Sequence, residues 1–506
     1  MSRNLTLFIG NMKWVYLGKI MAQIVNVLAA ILVIRKLDIP TYGEFQLLLS
    51  TYFVFHVIGL SALINVSNRF VPEFIANDDT HSIRKLLLIL VKLLSVIILT
   101  LSLVLYLLRN QFGDLFNIDS IDTHIIILLT YILVNSLKVL SETICKDLLL
   151  NKQLTLVSIF ILPCRFILYL VFMSNLDVVV LMYIECTVIT MNVLINSFIV
   201  LTKINSLEMQ SAVESNLDMS RINKYLAYSF INEFGVGLVG SKINIFIVSA
   251  LGNPAILGTY AVANKINNLV FKVLPVSEVK SVIRPIFFRK FSVSTDKKSL
   301  LRTKSFMVKF LLPVYLLPVL SFFLFGKFLI DLVFGNDYIV AYPFSLILLS
   351  TNVLIAIFFP LGLTAFLQEK LNYVLFSKLA LLISIPFAII LFERFGLYAV
   401  VWANFIGNLG KNILLLFLMK RDGYQSSYLH QALKPSLSWL IFTLVFSILI
   451  GEDISMIRLI ISAIVFIFSS ILLFYLVKLF NKDEMKIILS FFRKNRFLKK
   501  IERNLK

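Results

Sequence analysis

Fourteen long apolar runs, separated by short polar connections, set the pattern of this chain. They fall near 14 to 34, 44 to 67, 86 to 108, 121 to 144, 153 to 173, 177 to 201 and 223 to 250. The series continues near 256 to 283, 305 to 326, 339 to 366, 373 to 392, 397 to 419, 432 to 450 and 456 to 478. Each approaches the roughly 20 residues that a helix needs to cross the bilayer core with every backbone amide satisfied inside the segment. The pattern predicts an all-α polytopic membrane protein with about 14 transmembrane helices.

Two connections carry the same signature. Leu37-Asp38-Ile39-Pro40-Thr41-Tyr42-Gly43-Glu44-Phe45 follows the first run, and Leu251-Gly252-Asn253-Pro254-Ala255-Ile256-Leu257-Gly258-Thr259-Tyr260 follows the seventh. Both read Leu-x-x-Pro, a short spacer, then Gly-x-aromatic. Two further echoes keep the order. Phe112-Gly113-Asp114 returns as Phe334-Gly335-Asn336-Asp337-Tyr338, and Leu150-Asn151-Lys152-Gln153-Leu154 returns as Leu367-Gln368-Glu369-Lys370-Leu371-Asn372. The expected organisation is a six-helix bundle over 1–210 and its repeat over 211–425. Transmembrane helices 13 and 14 follow over 426–480, then a basic amphipathic cytoplasmic tail over 481–506. An even number of spans per half gives both halves one orientation, related by an axis along the membrane normal.

Composition agrees, with 59% hydrophobic and 15% charged residues among 506. The formal charge of +20 raises a nucleic-acid reading, which the placement of the charges excludes. With the N-terminus inside, the connections numbered as cytoplasmic hold 37 of the 48 Lys and Arg residues and the outer ones hold six. That bias is the positive-inside rule, so both termini are expected in the cytoplasm and no nucleic-acid partner is implied. The remaining five, Lys19, Arg165, Lys242, Lys265 and Lys411, fall within spans. The first span reads as an uncleaved anchor. The basic tail, interleaved with Phe and Ile, suits an interface with anionic membrane lipids.

Catalytic chemistry has no foothold. His56, His81, His124 and His430 are scattered, and no phosphate-binding Gly loop, paired Cys motif or Ser nucleophile elbow occurs. No cofactor or metal is expected, and an enzyme such as a membrane glycosyltransferase would need a larger outer loop than any present.

The two repeated turns, Phe334-Gly335-Asn336-Asp337-Tyr338 and Glu393-Arg394-Phe395-Gly396-Leu397-Tyr398-Ala399-Val400 together resemble the polysaccharide exporters of the multidrug/oligosaccharidyl-lipid/polysaccharide superfamily, in particular Wzx-type O-antigen flippases. The resemblance reaches to about residue 420. It implies a V-shaped pair of bundles in a bacterial inner membrane that moves an undecaprenyl-pyrophosphate-linked oligosaccharide, with spans one, two, seven and eight lining the cavity. A polysaccharide polymerase and chain-length machinery are the partners it implies. The alternative within the superfamily is a cation-coupled multidrug antiporter.

A pyrophosphate crossing the bilayer calls for a hydrated cationic cavity. Lys242 and Lys265 lie about eight or nine residues from the turn joining spans seven and eight, hence at similar depth, and are the leading anion site. Pairing with carboxylates is the other reading. Lys19, near the start of its span, either faces the cavity or snorkels to the interface. Asn26, Asn244, Asn264 and Asn268 are candidates for sugar hydroxyls or for interhelical hydrogen bonds. Arg165 and Glu185 lie at similar depths in one hairpin and are read as a structural ion pair. Glu233 and Lys411 are candidates for coupling to H+ or Na+, with simple pairing as the alternative.

Overall fold

The computed structural model describes residues 21–77, 79–118, 121–208, 217–237, 243–274, 287, 291, 297–424, 427–450 and 456–476. These residues form helices joined by tight turns, an all-α fold. Nine helices among the described residues are long and apolar enough to cross a membrane. The expected count of 14 includes stretches outside the described residues.

The chain opens with α1, 21–36, and α2, Ile39–Phe55. A π-turn over His56–Leu60 leads without a break into α3, Ser61–Ala76. The His56 carbonyl accepts from both the Ser61 amide, which closes the wider turn, and the Ser61 hydroxyl at 2.8 Å. The resulting span, Ile39–Ile75, is 37 residues long and overruns the 44–67 expected from apolarity. Beyond Asn68 the helix has become amphipathic: Phe70 and Val71 are buried, while Arg69 and Glu73 pair at 2.7 Å along its polar face. Next come α4, Thr80–Leu107; α5, Arg109–Phe116; α6, Ile121–Asp147; α7, Asn151–Val171; and α8, Val178–Glu208. The second half brings α9, Met219–Gly237; α10, Ile243–Leu251; α11, Pro254–Val273; α12, Lys297–Phe334; α13, Tyr342–Leu367; α14, Leu371–Phe395; and α15, Leu397–Arg421. It closes with α16, His430–Ile450, and α17, Met456–Leu476. Side-chain caps fix several helix starts: Asp79 accepts from the Ser82 amide at 2.9 Å, Asp177 from Val180 at 2.7 Å and Asn253 from Ile256 at 2.9 Å.

Contacts divide the chain into two compact units. The first holds 1–265, 333–338 and 392–400. In it α8 packs along α6 and α7, and α3 packs against α6 and α9. The second holds 266–332, 339–391 and 401–506. Its core includes Leu316, Leu320 and Phe325 of α12 against Trp439 and Phe466 of α16 and α17, and Leu361 and Ala365 of α13 against Leu415 and Met419 of α15.

Inside the first unit the two repeated turns meet. A Cβ placed on Gly43 would lie 2.2 Å from the Pro254 carbonyl oxygen and 2.7 Å from the Gly258 nitrogen. One placed on Gly258 would lie 1.9 Å from the Ile39 carbonyl oxygen. The first turns of α2 and α11 thus touch backbone to backbone, an approach open to small residues alone. Another echo is local. Leu149 and Glu369, the residues two after the ends of α6 and α13, both take left-handed backbone angles, with φ of 60° and 54°. At each, the following amide reaches back to the helix: Leu150 to Cys145 at 2.8 Å and Lys370 to Ala365 at 2.9 Å.

Candidate functional site

A largely buried polar cluster joins α1, α7 and α8. Arg165 of α7 forms an ion pair with Glu185 of α8, and the Tyr169 hydroxyl donates to the same carboxylate. The Arg165 guanidinium also donates to the Tyr169 hydroxyl at 3.2 Å and to the Asn26 side-chain oxygen at 3.1 Å. Glu185 is 6% exposed. Every strong donor here has an acceptor within the cluster, so the charges are spent on one another, and Asn26 is held by Arg165.

A second polar line follows the contact of α3 with α9. Near the start of α3 and the end of α9, Asn65 donates to Glu233 at 3.1 Å. Nearer the start of α9, Arg221 grips Glu73 through both carboxylate oxygens, at 2.7 and 3.0 Å. Its guanidinium also lies 5.1 Å from the centre of the Phe70 ring, which meets Tyr225 edge-on. Glu233 therefore has a hydrogen-bonded neighbour that can sense its charge.

Lys19 and Lys242 lie outside the described residues. Asn244 is half-buried in the first turn of α10. Asn264, Lys265 and Asn268 follow one another along α11, with Asn264 and Lys265 half-buried and Asn268 exposed. The adjoining Asn267 accepts from Asn352 of α13 at 2.8 Å. Lys411 stands on α15 in a cleft with Asn408 and Asn412, and makes no hydrogen bond or ion pair among the described residues.

Sequence reasoning missed three features. Asn404, Asn408 and Asn412 form a ladder along α15, with Asn408 donating to the Asn404 side chain at 2.8 Å. Their i, i+4, i+8 spacing is plain in the sequence. Lys304 of α12, 1% exposed, has its ammonium 5.6 Å from the centre of the Tyr428 ring. Its neighbours in the sequence are basic, so charge counting assigned it to a loop. Lastly, Lys370 pairs with Asp422 at 2.7 Å across the turns that follow α13 and α15, and holds that carboxyl below its ordinary range, with help from the Tyr373 hydroxyl.

Long apolar helices, charges held in buried polar clusters and two meeting copies of one turn define a multi-pass all-α membrane protein. The structure of the lipid II flippase MurJ in its inward closed conformation is similar over 92% of this chain and 99% of that one, with TM-score 0.62 and 16% identity. An inward-facing multidrug resistance transporter of the MATE family, in the multidrug/oligosaccharidyl-lipid/polysaccharide superfamily, is similar over 79% of this chain and 94% of that one, with TM-score 0.61 and 12% identity. At these identities the likeness is one of fold. Among curated protein sequences none matches. The polysaccharide biosynthesis protein family matches residues 74–343, more than half of the chain, and the chain belongs to that family.

Proposed function

We propose that this protein is a flippase for an undecaprenyl-pyrophosphate-linked oligosaccharide, a repeat unit of O-antigen or capsule type. It carries this substrate from the cytoplasmic to the outer leaflet of a bacterial inner membrane by alternating access. The observation that carries the reading is the union, in one chain, of membership in a polysaccharide biosynthesis family and a fold similar to that of a lipid II flippase.

In this reading the headgroup crosses within protein while the lipid tail stays in the bilayer. A diphosphate in that setting needs cations, which Lys265, Lys242 and Lys19 supply, while Asn244, Asn264 and Asn268 offer amides to sugar hydroxyls. The bonded pair of Asn65 and Glu233 gives coupling a physical form. Protonation or cation binding at Glu233 changes what Asn65 and α3 can hold, so Glu233→Gln abolishes the pH or Na+ dependence of transport if Glu233 couples the cycle. A glycan polymerase acting at the outer leaflet is the natural downstream partner.

The second reading, a cation-coupled multidrug antiporter, has its own support in the similarity to a multidrug transporter. Ligand-induced stabilisation of the purified protein separates the two. A ligand at 100 times its Kd raises stability by about 2.7 kcal/mol. Undecaprenyl-pyrophosphate oligosaccharide should raise the melting midpoint of the wild type, and less so that of Lys242→Ala/Lys265→Ala. Stabilisation by lipophilic cations, with none by the lipid-linked glycan, would favour the antiporter.

A further inference from the structure

The cleft around Lys411 lies wholly within the second unit, between α13 and α15, and has a volume of about 250 Å³. Thr351, Phe358 and Gly362 of α13 form one wall, and Asn408, Lys411 and Asn412 of α15 the other. Lys411 is ten residues from Arg421 at the end of α15. That is about 15 Å along the axis, further than a lysine stem reaches, so the ammonium does not escape to the interface by snorkelling.

A cation at such a depth is expected to have a carboxylate beside it. Lys411 has none among the described residues, and Lys378 of α14, outside the cleft lining, adds a second positive charge to its surroundings. Two like charges in a low-dielectric region repel, and an anion entering the cleft relieves that repulsion. The polar groups suit an oxyanion. The ammonium offers three donors, and the Asn412 amide, which spends one N–H on the Asn408 carbonyl at 2.9 Å, has a second to give. Across the cleft, a Cβ on Gly362 would meet nothing within 4 Å, so the wall there is open. The volume is below the roughly 300–1,000 Å³ of sites that engulf a drug-sized ligand, which fits a headgroup better than a whole amphiphile.

We propose that this cleft is a phosphate site: Lys411, supported by Asn412, receives the phosphate of an anionic ligand inside the second unit. The inference does not depend on the transport reading. Its chemistry admits two sources, the headgroup of an anionic lipid or a soluble phosphate.

The test uses the purified full-length protein and four forms of it: wild type, Lys411→Gln, Lys411→Arg and Gly362→Leu, the last placing a side chain in the open wall while leaving the lysine. Retention of phosphatidylglycerol over phosphatidylcholine is read by native mass spectrometry, and binding of inorganic pyrophosphate by calorimetry. A fall of about tenfold for either probe in both Lys411→Gln and Gly362→Leu, with Lys411→Arg near wild type, is the expected result, matching the loss of one charge-assisted contact. Loss confined to phosphatidylglycerol assigns the site to a lipid, and loss confined to pyrophosphate to a soluble anion. Unchanged binding of both probes by a folded Lys411→Gln protein overturns the proposal. So does a loss in Lys411→Gln that a folded Gly362→Leu protein does not share, because the anion then binds outside the cleft.

Discussion

Substituting Gly258 with alanine tests the backbone contact between α2 and α11. The added Cβ would lie 1.9 Å from the Ile39 carbonyl oxygen and 2.8 Å from the Ile39 carbonyl carbon. Ordinary contact begins at about 3.4 Å, so the backbones of α2 and α11 must separate by roughly 1 Å or more, since neither atom can rotate away. Tyr42, Phe45, Leu257 and Tyr260, all nearly inaccessible, ride on those two helices. A gap of that size forfeits a quarter to a half of each atomic contact of about 0.15 kcal/mol, and about 40 such contacts give a loss of roughly 1.5–3 kcal/mol. Overpacking in other cores falls in the same range of about 1–3 kcal/mol. The gain of about 1 kcal/mol from replacing glycine within a helix offsets part of it. Gly362→Ala is the matched control: with no atom within 4 Å of its Cβ it retains that gain alone. Unfolding in detergent, followed by intrinsic fluorescence, should show Gly258→Ala melting below wild type and Gly362→Ala at or above it. A Gly258→Ala protein as stable as wild type would refute the backbone contact between the two repeated turns.

Three further outcomes follow from the same structure. Arg165→Met leaves Glu185 buried without its cation and should cost about 3–5 kcal/mol, whereas Arg165→Met/Glu185→Leu should recover most of it; additive losses in the double-mutant cycle would contradict the pairing. Leu149→Gly removes a left-handed backbone penalty at an exposed side chain and should stabilise by about 1 kcal/mol in the same unfolding assay, with a loss of stability counting against it. Asp422 is held below the ordinary aspartate value of about 3.9 by hydrogen bonds from Lys370 and then Tyr373. Its contribution is therefore present above that value and lost as pH falls through the lower native one. The midpoints of wild type and Asp422→Asn should differ at neutral pH and converge in acid, and a gap that widens in acid would contradict the linkage.

The apolar runs made the membrane class legible, because lipid forces each span to satisfy its own backbone. Helix ends were harder to read. Counting apolar residues stops at Asn68, yet α3 continues to Ala76 because Phe70 and Val71 are buried while Arg69 and Glu73 pair on the polar face. The repeated Gly-x-aromatic turns were visible as a motif, but their contact was not, since spacing does not tell which backbones meet. Arg165 and Glu185 share one hairpin, so a depth count within it brought them together. Glu233 and Lys411 come from distant spans, and no such count reveals that Glu233 takes a hydrogen bond from Asn65. The Asn404, Asn408 and Asn412 ladder was in view but silent, because that spacing equally serves amides bonding back to their own helix.

Transbilayer movement of a lipid-linked glycan tests the flippase reading most directly. Undecaprenyl-pyrophosphate oligosaccharide is placed in the membrane of proteoliposomes holding the full-length protein, and its exposure on each face is followed with an impermeant glycan-modifying enzyme. Protein-dependent exchange between leaflets is expected, slowed in Lys242→Ala/Lys265→Ala protein that remains folded. Exchange no faster than in protein-free vesicles, from folded wild type with every lipid-linked glycan offered, would contradict the flippase reading.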